Sequence, residues 1–150
     1  LNIEHSSPQG INTDNVLLGS TFIIGGQIKG QKTELYLIYP QGNYIRPADS
    51  KPYLVIGEVK YGKPILDRVI KPDVSIGDAS RCALISMDST LKSDLTVGPP
   101  IDFVVYKKDQ FKIASQKCLN LNDEEFSKMT NEWSEGILKV FKSFPRFDWE

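Results

Sequence analysis

Residues 53–70 read YLVIGEVKYGKPILDRVI. The apolar run Tyr53–Ile56 predicts a buried strand, residues 57–62 predict a tight turn between two glycines, and Pro64 fits the first turn of a helix. A side chain in such a turn is held between two regular elements, which positions it more firmly than a free loop would. This turn is therefore a place where the fold can fix a functional group.

Residues 57–63 also fit the phosphate-loop pattern G-x-x-x-x-G-K, placed between a strand and a helix. That pattern requires a serine or threonine next, whose hydroxyl binds Mg²⁺, and this chain has Pro64 there. Glu58 would also put a negative charge inside a turn that should hold phosphate. We therefore expect no nucleotide and no Mg²⁺ at this turn, and we expect no cofactor.

Composition narrows the class of protein. The 150 residues are enough for one domain or part of one, and the formal charge of −1 argues against a nucleic-acid or acidic-membrane partner. No apolar run approaches the roughly 20 residues of a membrane span. His5 is the only histidine, and Cys82 and Cys118 lack metal-ligand spacing, which predicts no metal site and a reducing, cytoplasmic location. Because the sequence begins with Leu1 rather than Met, we expect that this is not the natural start.

The pattern of apolar residues and turn signals predicts an α+β domain. We expect residues 1–150 to form a single, partial domain, in which residues 1–19 are a polar arm or loop and residues 145–150 are a C-terminal tail. The strands form an antiparallel meander at Ser20–Gln27, Glu34–Tyr39, Tyr44–Ile45 and Tyr53–Ile56. Glycine-containing turns separate the first three of them. Two helices, a hairpin and a last helix follow at Lys63–Ile70, Ser75–Leu95, Ile101–Tyr106 with Phe111–Ala114, and after the predicted cap Asn122.

Apolar residues recur at helical spacing in both long helices, so each helix should bury a stripe. The two stripes are Ile76, Ala79, Ala83, Met87, Leu91 and Leu95, and Phe126, Met129, Trp133, Ile137, Val140 and Phe144. The tail adds Phe147 and Trp149, which suggest a docking contact. The meander is apolar on both faces, so we expect helices on one face and a layer from outside this chain on the other.

Several blocks of the sequence resemble the bacterial proteasome-related proteins called Anbu, the ancestral β-subunit group. They are GGQI at 25–28, LIYPQGN at 37–43, IGEVKYGKPILDR at 56–68, MDST at 87–90, VGPPID at 97–102 and PRFDW at 145–149. The resemblance covers nearly the whole chain from about residue 20. It implies an N-terminal-nucleophile hydrolase fold, a four-layer αββα sandwich, of which this chain is about the second half.

The resemblance also implies an activity and a set of supporting residues. In such enzymes a threonine at the mature N-terminus attacks a peptide carbonyl, and that threonine lies in the first half of the subunit, outside this chain. Here Glu58 stands where proteasome β-subunits have a serine near the nucleophile, and Asp94 matches their aspartate. Val97 replaces the expected serine, and Thr96 is its possible substitute. Gln27 and Ile28 match residues that face the substrate cleft of a neighbouring subunit.

The predicted order of elements places the carboxylates of Glu58 and Asp94 close together. Glu58 follows a strand end and Asp94 ends a long helix that returns toward it, so we expect both to face one cleft. Two carboxylates side by side repel each other, so we also expect a raised pKa for at least one of them.

Two functions from different classes remain open. The chain is the C-terminal part of a threonine peptidase subunit, inactive without the half that carries the threonine, or it is a non-catalytic assembly module of the same fold. Its partners are then the N-terminal half of the subunit, other copies of itself and a peptide or protein substrate. An intact-mass measurement that finds a second polypeptide beginning with threonine would favour the peptidase.

Overall fold

A computed structural model describes residues 19–150 of the chain. Three strands come first, then two helices, a two-stranded hairpin and a long last helix. The elements are β1 Phe22–Gln27, β2 Thr33–Ile38, β3 Tyr44–Ile45, α1 Lys63–Val69, α2 Ile76–Ser93, β4 Ile101–Tyr106, β5 Ile113–Leu119 and α3 Glu124–Lys142. This is the expected α+β order. The predicted polar arm lies, except for Gly19, outside the described residues.

The first three strands form the predicted antiparallel meander, in the order β1-β2-β3. Ile23 pairs with Leu37 and Leu37 with Ile45, so these three side chains share one face of the sheet, on which Leu37 is buried. The other face carries Phe22 and Ile24, which are 56% and 55% exposed. One apolar face of the sheet is therefore open in the described part of the chain.

The prediction of a strand at Tyr53–Ile56 is wrong, because these residues belong to no strand of residues 19–150. A strand needs a partner for its backbone hydrogen bonds, and no described strand pairs with this run. Instead of pairing in a sheet, Tyr53 and Val55 of this run pack against the buried residues Leu66, Ile70 and Cys82 of the two helices α1 and α2.

Helix α2 begins as predicted, although its buried face differs from the prediction. Ser75 caps the helix, since its Oγ accepts a hydrogen bond from the Asp78 amide at 3.0 Å and donates to the Asp78 carboxylate at 2.6 Å. The buried residues are Cys82, Ile85, Ser86, Asp88 and Thr90. Of the predicted stripe, Ile76 and Met87 are exposed on the helix, and Leu95 is exposed beyond its end at Ser93.

The hairpin and the last helix form a second small core. Ile101 of β4 and Leu119 of β5 pack against Phe126, the most deeply buried residue of α3. The hairpin is confirmed, with a second strand that begins at Ile113 and is longer than predicted. The predicted cap Asn122 is wrong: the residue before α3 is Asp123, and its side chain accepts from the Asn120 amide instead of capping the helix.

Only the first half of α3 packs into that core. Phe126 is buried and Met129 packs beside it, whereas the apolar residues of the second half and just after the helix end are 49–67% exposed: Ile137, Leu138, Val140, Phe141 and Phe144. The expectation that the whole stripe packs into the core is therefore wrong for this half. No helix among residues 19–150 is both long enough and apolar enough to cross a bilayer.

Candidate functional site

The turn that follows Val55 holds Glu58 in a defined position. Gly57 has a φ of 79°, a left-handed conformation that glycine adopts without strain, and it reverses the chain just before the carboxylate. Glu58 Oε1 accepts a hydrogen bond from the Lys60 amide at 2.8 Å, and Oε2 lies 3.7 Å from Lys60 Nζ. The Glu58 side chain is 21% exposed and that of Lys60 is 78% exposed, so the carboxylate lies at the surface under its lysine partner.

The second glycine of the phosphate-loop pattern has a packing role. A Cβ at Gly62 would lie 2.3 Å from Ser86 Oγ and 3.1 Å from Thr90 Oγ1, so the missing side chain lets the start of α1 approach α2. The Lys60 amide of the turn donates to the Glu58 carboxylate. Both features give Gly62 and the turn a structural role within the fold.

Asp94 ends α2 and is held by Thr96. The Asp94 amide donates to the Thr90 carbonyl at 2.9 Å, which closes the helix. Asp94 Oδ1 accepts from the Thr96 hydroxyl at 2.7 Å and from the Thr96 amide at 2.8 Å. These two hydrogen bonds, together with the Lys60 charge, lower the pKa of Asp94. The expected raised pKa is therefore wrong for Asp94.

The two predicted carboxylates are linked through one lysine and one helix end. Lys60 pairs with Glu58 and also acts electrostatically on Asp94. The same turn reaches Thr90 through Gly62, and the Thr90 carbonyl accepts the Asp94 amide. The turn and the last turn of α2 therefore form one edge of the molecule. Sequence reasoning missed Lys60, although a cation two residues after a carboxylate in a tight turn was a usable signal.

Gln27 and Ile28 lie away from this edge, at the end of β1. Gln27 Nε2 donates to Asp109 Oδ1 at 2.7 Å and to the Gln31 carbonyl at 2.9 Å, and Gln27 Oε1 accepts from the Asp109 amide at 2.8 Å. The amide thus ties β1 to the turn between β4 and β5, where Asp109 has a φ of 65°. Ile28 is 67% exposed. The structure therefore gives Gln27 a fold-stabilising contact and leaves Ile28 open to a partner.

The carboxylate of Asp67 on α1 stabilises the residues on either side of the Glu58 turn. Asp67 accepts from Tyr53 Oη at 2.7 Å and pairs with Lys51 at 2.7 Å and Lys63 at 2.6 Å. The two lysines, followed by the tyrosine hydroxyl, hold the pKa of Asp67 well below its usual range. Since Tyr53 and Lys63 flank residues 57–62, this network fixes both ends of the turn.

A wide cleft lies elsewhere in the described part of the chain. A cleft of about 1050 Å³ opens between the meander and the hairpin, with Gly25, Gly26, Arg46, Val104 and Tyr106 among its walls. It does not include Glu58 or Asp94. Within residues 19–150, no group of three histidine, cysteine or acidic side chains is close enough to hold a metal ion.

Comparison with known proteins places these features in a family context. The family model described as proteasome subunit matches residues 13–106. The chain is 47% identical to Anbu from Hyphomicrobium sp., with a TM-score of 0.82, covering 85% of this chain and 55% of that one. It is 44% identical to Anbu (ancestral beta-subunit) from Yersinia bercovieri, with a TM-score of 0.81, covering 84% and 53%.

A third solved structure is similar over most of the chain. It is an Anbu complex from Pseudomonas aeruginosa, described as a helical assembly, at 41% identity and a TM-score of 0.85, covering 90% of this chain and 56% of that one. No curated protein matches at a significant level. The chain spans a little over half the length of the solved structures it matches.

Proposed function

Because the chain belongs to the Anbu group of the proteasome subunit family, we propose that it forms the C-terminal part of a threonine-type peptidase subunit. The observation that supports this most is the approach of the Glu58 turn to the end of α2, which puts Glu58 and Asp94, both picked out by the family resemblance, on one edge. The nucleophile comes from the N-terminal half, whose threonine would arrive at this edge.

In this proposal the two carboxylates serve the threonine rather than the substrate. The threonine hydroxyl attacks the peptide carbonyl, and its own α-amino group accepts the proton. Asp94, which stays ionised because Thr96 donates to it twice, can orient that amine and a neighbouring cation. Glu58 offers a second carboxylate acceptor at the same edge, in the place of the serine hydroxyl of proteasome β-subunits.

The substrate would be a peptide or protein, and Ile28, which is 67% exposed, would contact it from a neighbouring copy. Its side chain is exposed at the tip of the β1–β2 turn, while Gln27 beside it holds that tip against the hairpin. We include Gln27 as the support of this contact. The peptide specificity itself belongs to the missing half.

Self-association is the second part of the proposal. The similar protein from Pseudomonas aeruginosa is described as a helical assembly, and this chain carries an unpartnered apolar surface that another copy could cover. That surface consists of the second half of α3 and the tail, where Phe147 and Trp149 stack with ring centroids 5.3 Å apart. Two unpaired cysteines support a reducing, cytoplasmic location.

Asp94→Asn in the full-length subunit tests the peptidase proposal. The amide keeps the size of the side chain but removes the charge that orients the amine, so hydrolysis of a fluorogenic peptide should fall by at least about tenfold. Assembly, measured by sedimentation, should not change. Asp73→Asn, an exposed aspartate in the loop between α1 and α2, is the matched control. Wild-type turnover from the Asp94 variant would remove this residue from the site.

A further inference from the structure

We propose that the outer surface of α1 binds the exposed face of the first half of α3 in a second copy of the chain. The α1 surface carries a cluster of cations, and the α3 face carries an acidic groove. This inference rests on the self-association proposed above and deepens it, because it names two surfaces that meet and the charges that select them.

The cation cluster forms around one residue of α1. Lys51 and Lys63 pair with the Asp67 carboxylate at 2.7 Å and 2.6 Å, and Lys71 donates to the Asp67 carbonyl oxygen at 2.9 Å. One carboxylate balances one of these three charges, so the cluster keeps an excess of positive charge. Arg68 is exposed beside it, and its guanidinium donates to a main-chain carbonyl oxygen at 2.6 Å, which leaves its charge uncompensated.

The acidic groove lies on the side of α3 away from Phe126. It has a volume of about 520 Å³, and its walls include three exposed carboxylates, Glu124, Glu132 and Glu135, and one lysine, Lys128. Among residues 19–150, none of these three carboxylates takes part in a salt bridge. The groove therefore keeps an excess of negative charge, opposite in sign to that of the cation cluster.

Exposed apolar side chains lie next to both charged surfaces. On α1, Val69 follows Arg68 directly and is 41% exposed. On α3, Leu138 lies three residues after Glu135 and is 56% exposed. Residues three apart are neighbours on a helix, so the acidic groove continues into the exposed apolar surface of the second half of α3. Apolar area bordered by charged groups is the usual composition of a protein–protein interface.

The distribution of charge points to a second copy as the partner. The whole chain has a formal charge of −1, so the cation cluster does not belong to a generally basic protein that would attract nucleic acid. Its complement is present on the chain itself. The two surfaces do not pair within one copy, because no salt bridge joins α1 to α3 in the part of the chain that the structure describes. Complementary charges therefore favour a contact between copies.

Charge reversal on each surface tests this contact by sedimentation velocity of the full-length subunit. Arg68→Glu with Lys71→Glu, or Glu132→Lys with Glu135→Lys, places like charges opposite one another. The dissociation constant of the assembly should therefore rise by about tenfold or more in either variant. All four changes together restore opposite charges, so the constant should return to within about threefold of the wild-type value.

Lys107→Glu with Lys108→Glu is the matched control. These exposed lysines lie in the turn between β4 and β5, and their reversal changes the net charge by the same amount as that of the α1 pair. This variant should assemble like the wild type. Because all the replaced residues are exposed, the melting temperature of each dissociated variant should change little, which checks that it folds.

A second measurement needs no variant. Raising the NaCl concentration from about 50 mM to about 500 mM screens exposed charges, so the wild-type subunit should shift toward smaller species. Assembly that is insensitive to salt overturns the proposed contact.

The variants separate this contact from self-association in general. Unchanged assembly of either two-residue variant, or a four-residue variant that assembles no better than they do, overturns the pairing of α1 with α3. If replacement of Phe141 and Phe144 by serine still dissociates the assembly in that case, self-association stands without this contact. A wild-type subunit that remains single overturns self-association itself.

Discussion

Asp67 lies outside the candidate site and stabilises the turn that carries Glu58. Three donors, Tyr53, Lys51 and Lys63, converge on its carboxylate and lower its pKa. A depressed carboxyl pKa stabilises the folded state above the pKa of the unfolded chain, and that contribution is lost as the pH falls. The ordinary aspartate value is about 3.9, so the stabilisation is complete at neutral pH and declines below about pH 4.

Asp67→Asn should therefore destabilise the protein at pH 7 and do so less at low pH. The amide can still accept from Tyr53 but no longer attracts the two lysines. Thermal denaturation of both proteins from pH 7 to pH 3 is the measurement, and the gap between their melting temperatures should shrink as the pH falls. A gap that stays constant over this range would show that charge is not what Asp67 contributes.

At the level of single residues, the sequence predicted which residues lie at the site better than it predicted their hydrogen bonds and pKa shifts. Glu58 and Asp94 were named from family blocks, and the structure brings them to one edge through Lys60 and Thr90. The approach of this turn to the end of α2 could not be predicted, because it depends on how α1 packs against α2 at Gly62. The lowered pKa of Asp94 depends likewise on two donors from Thr96, whose direction is set by the local turn.

At the level of elements, α3 carries an exposed apolar surface on its second half. Its first half packs on the hairpin through Phe126, and the same apolar stripe continues past that contact, where Phe141 is 67% exposed and meets Phe144 edge to face. A stripe that is continuous in sequence but buried over only half its length indicates a missing partner. We take that partner to be a second copy of the chain.

Replacing Phe141 and Phe144 together by serine should weaken self-association of the full-length subunit. Each removes an exposed aromatic from the proposed contact, so sedimentation velocity should show a shift toward smaller species at the same protein concentration. Because both side chains are exposed, the melting temperature of the dissociated subunit should change little. Leu121→Ser, an exposed apolar residue before α3, is the control. An unchanged distribution of species would place the interface elsewhere.

The helices and strands were predicted correctly where the local sequence carried a clear cap or turn signal. Ser75 and Asp78 fixed the start of α2, and the glycine-containing turn at residues 39–43 fixed the step from β2 to β3. Two predictions failed for different reasons. The run at residues 53–56 has no strand to pair with among residues 19–150, and the predicted stripe of α2 is open at Leu95 because the helix ends at Ser93, before this residue.

At the level of the whole molecule, the chain has the surface of an incomplete sandwich. No large side chain of residues 19–150 is more than 98% buried, and Phe22 and Ile24 leave one face of the meander open. The chain spans 53–56% of the length of the Anbu structures it matches. We propose that the other half of the subunit covers this face as the second sheet and carries the threonine to the edge of Glu58 and Asp94.

The most direct test of that account is covalent trapping of the nucleophile. The full-length subunit, treated with an electrophile that reacts with N-terminal threonine, is digested and its peptides are weighed by mass spectrometry. The account predicts one reagent per subunit on a peptide that begins with threonine, formed more slowly in Asp94→Asn than in the wild type. An assembled, folded subunit that takes up no reagent at such a threonine would contradict it and leave a non-catalytic assembly module.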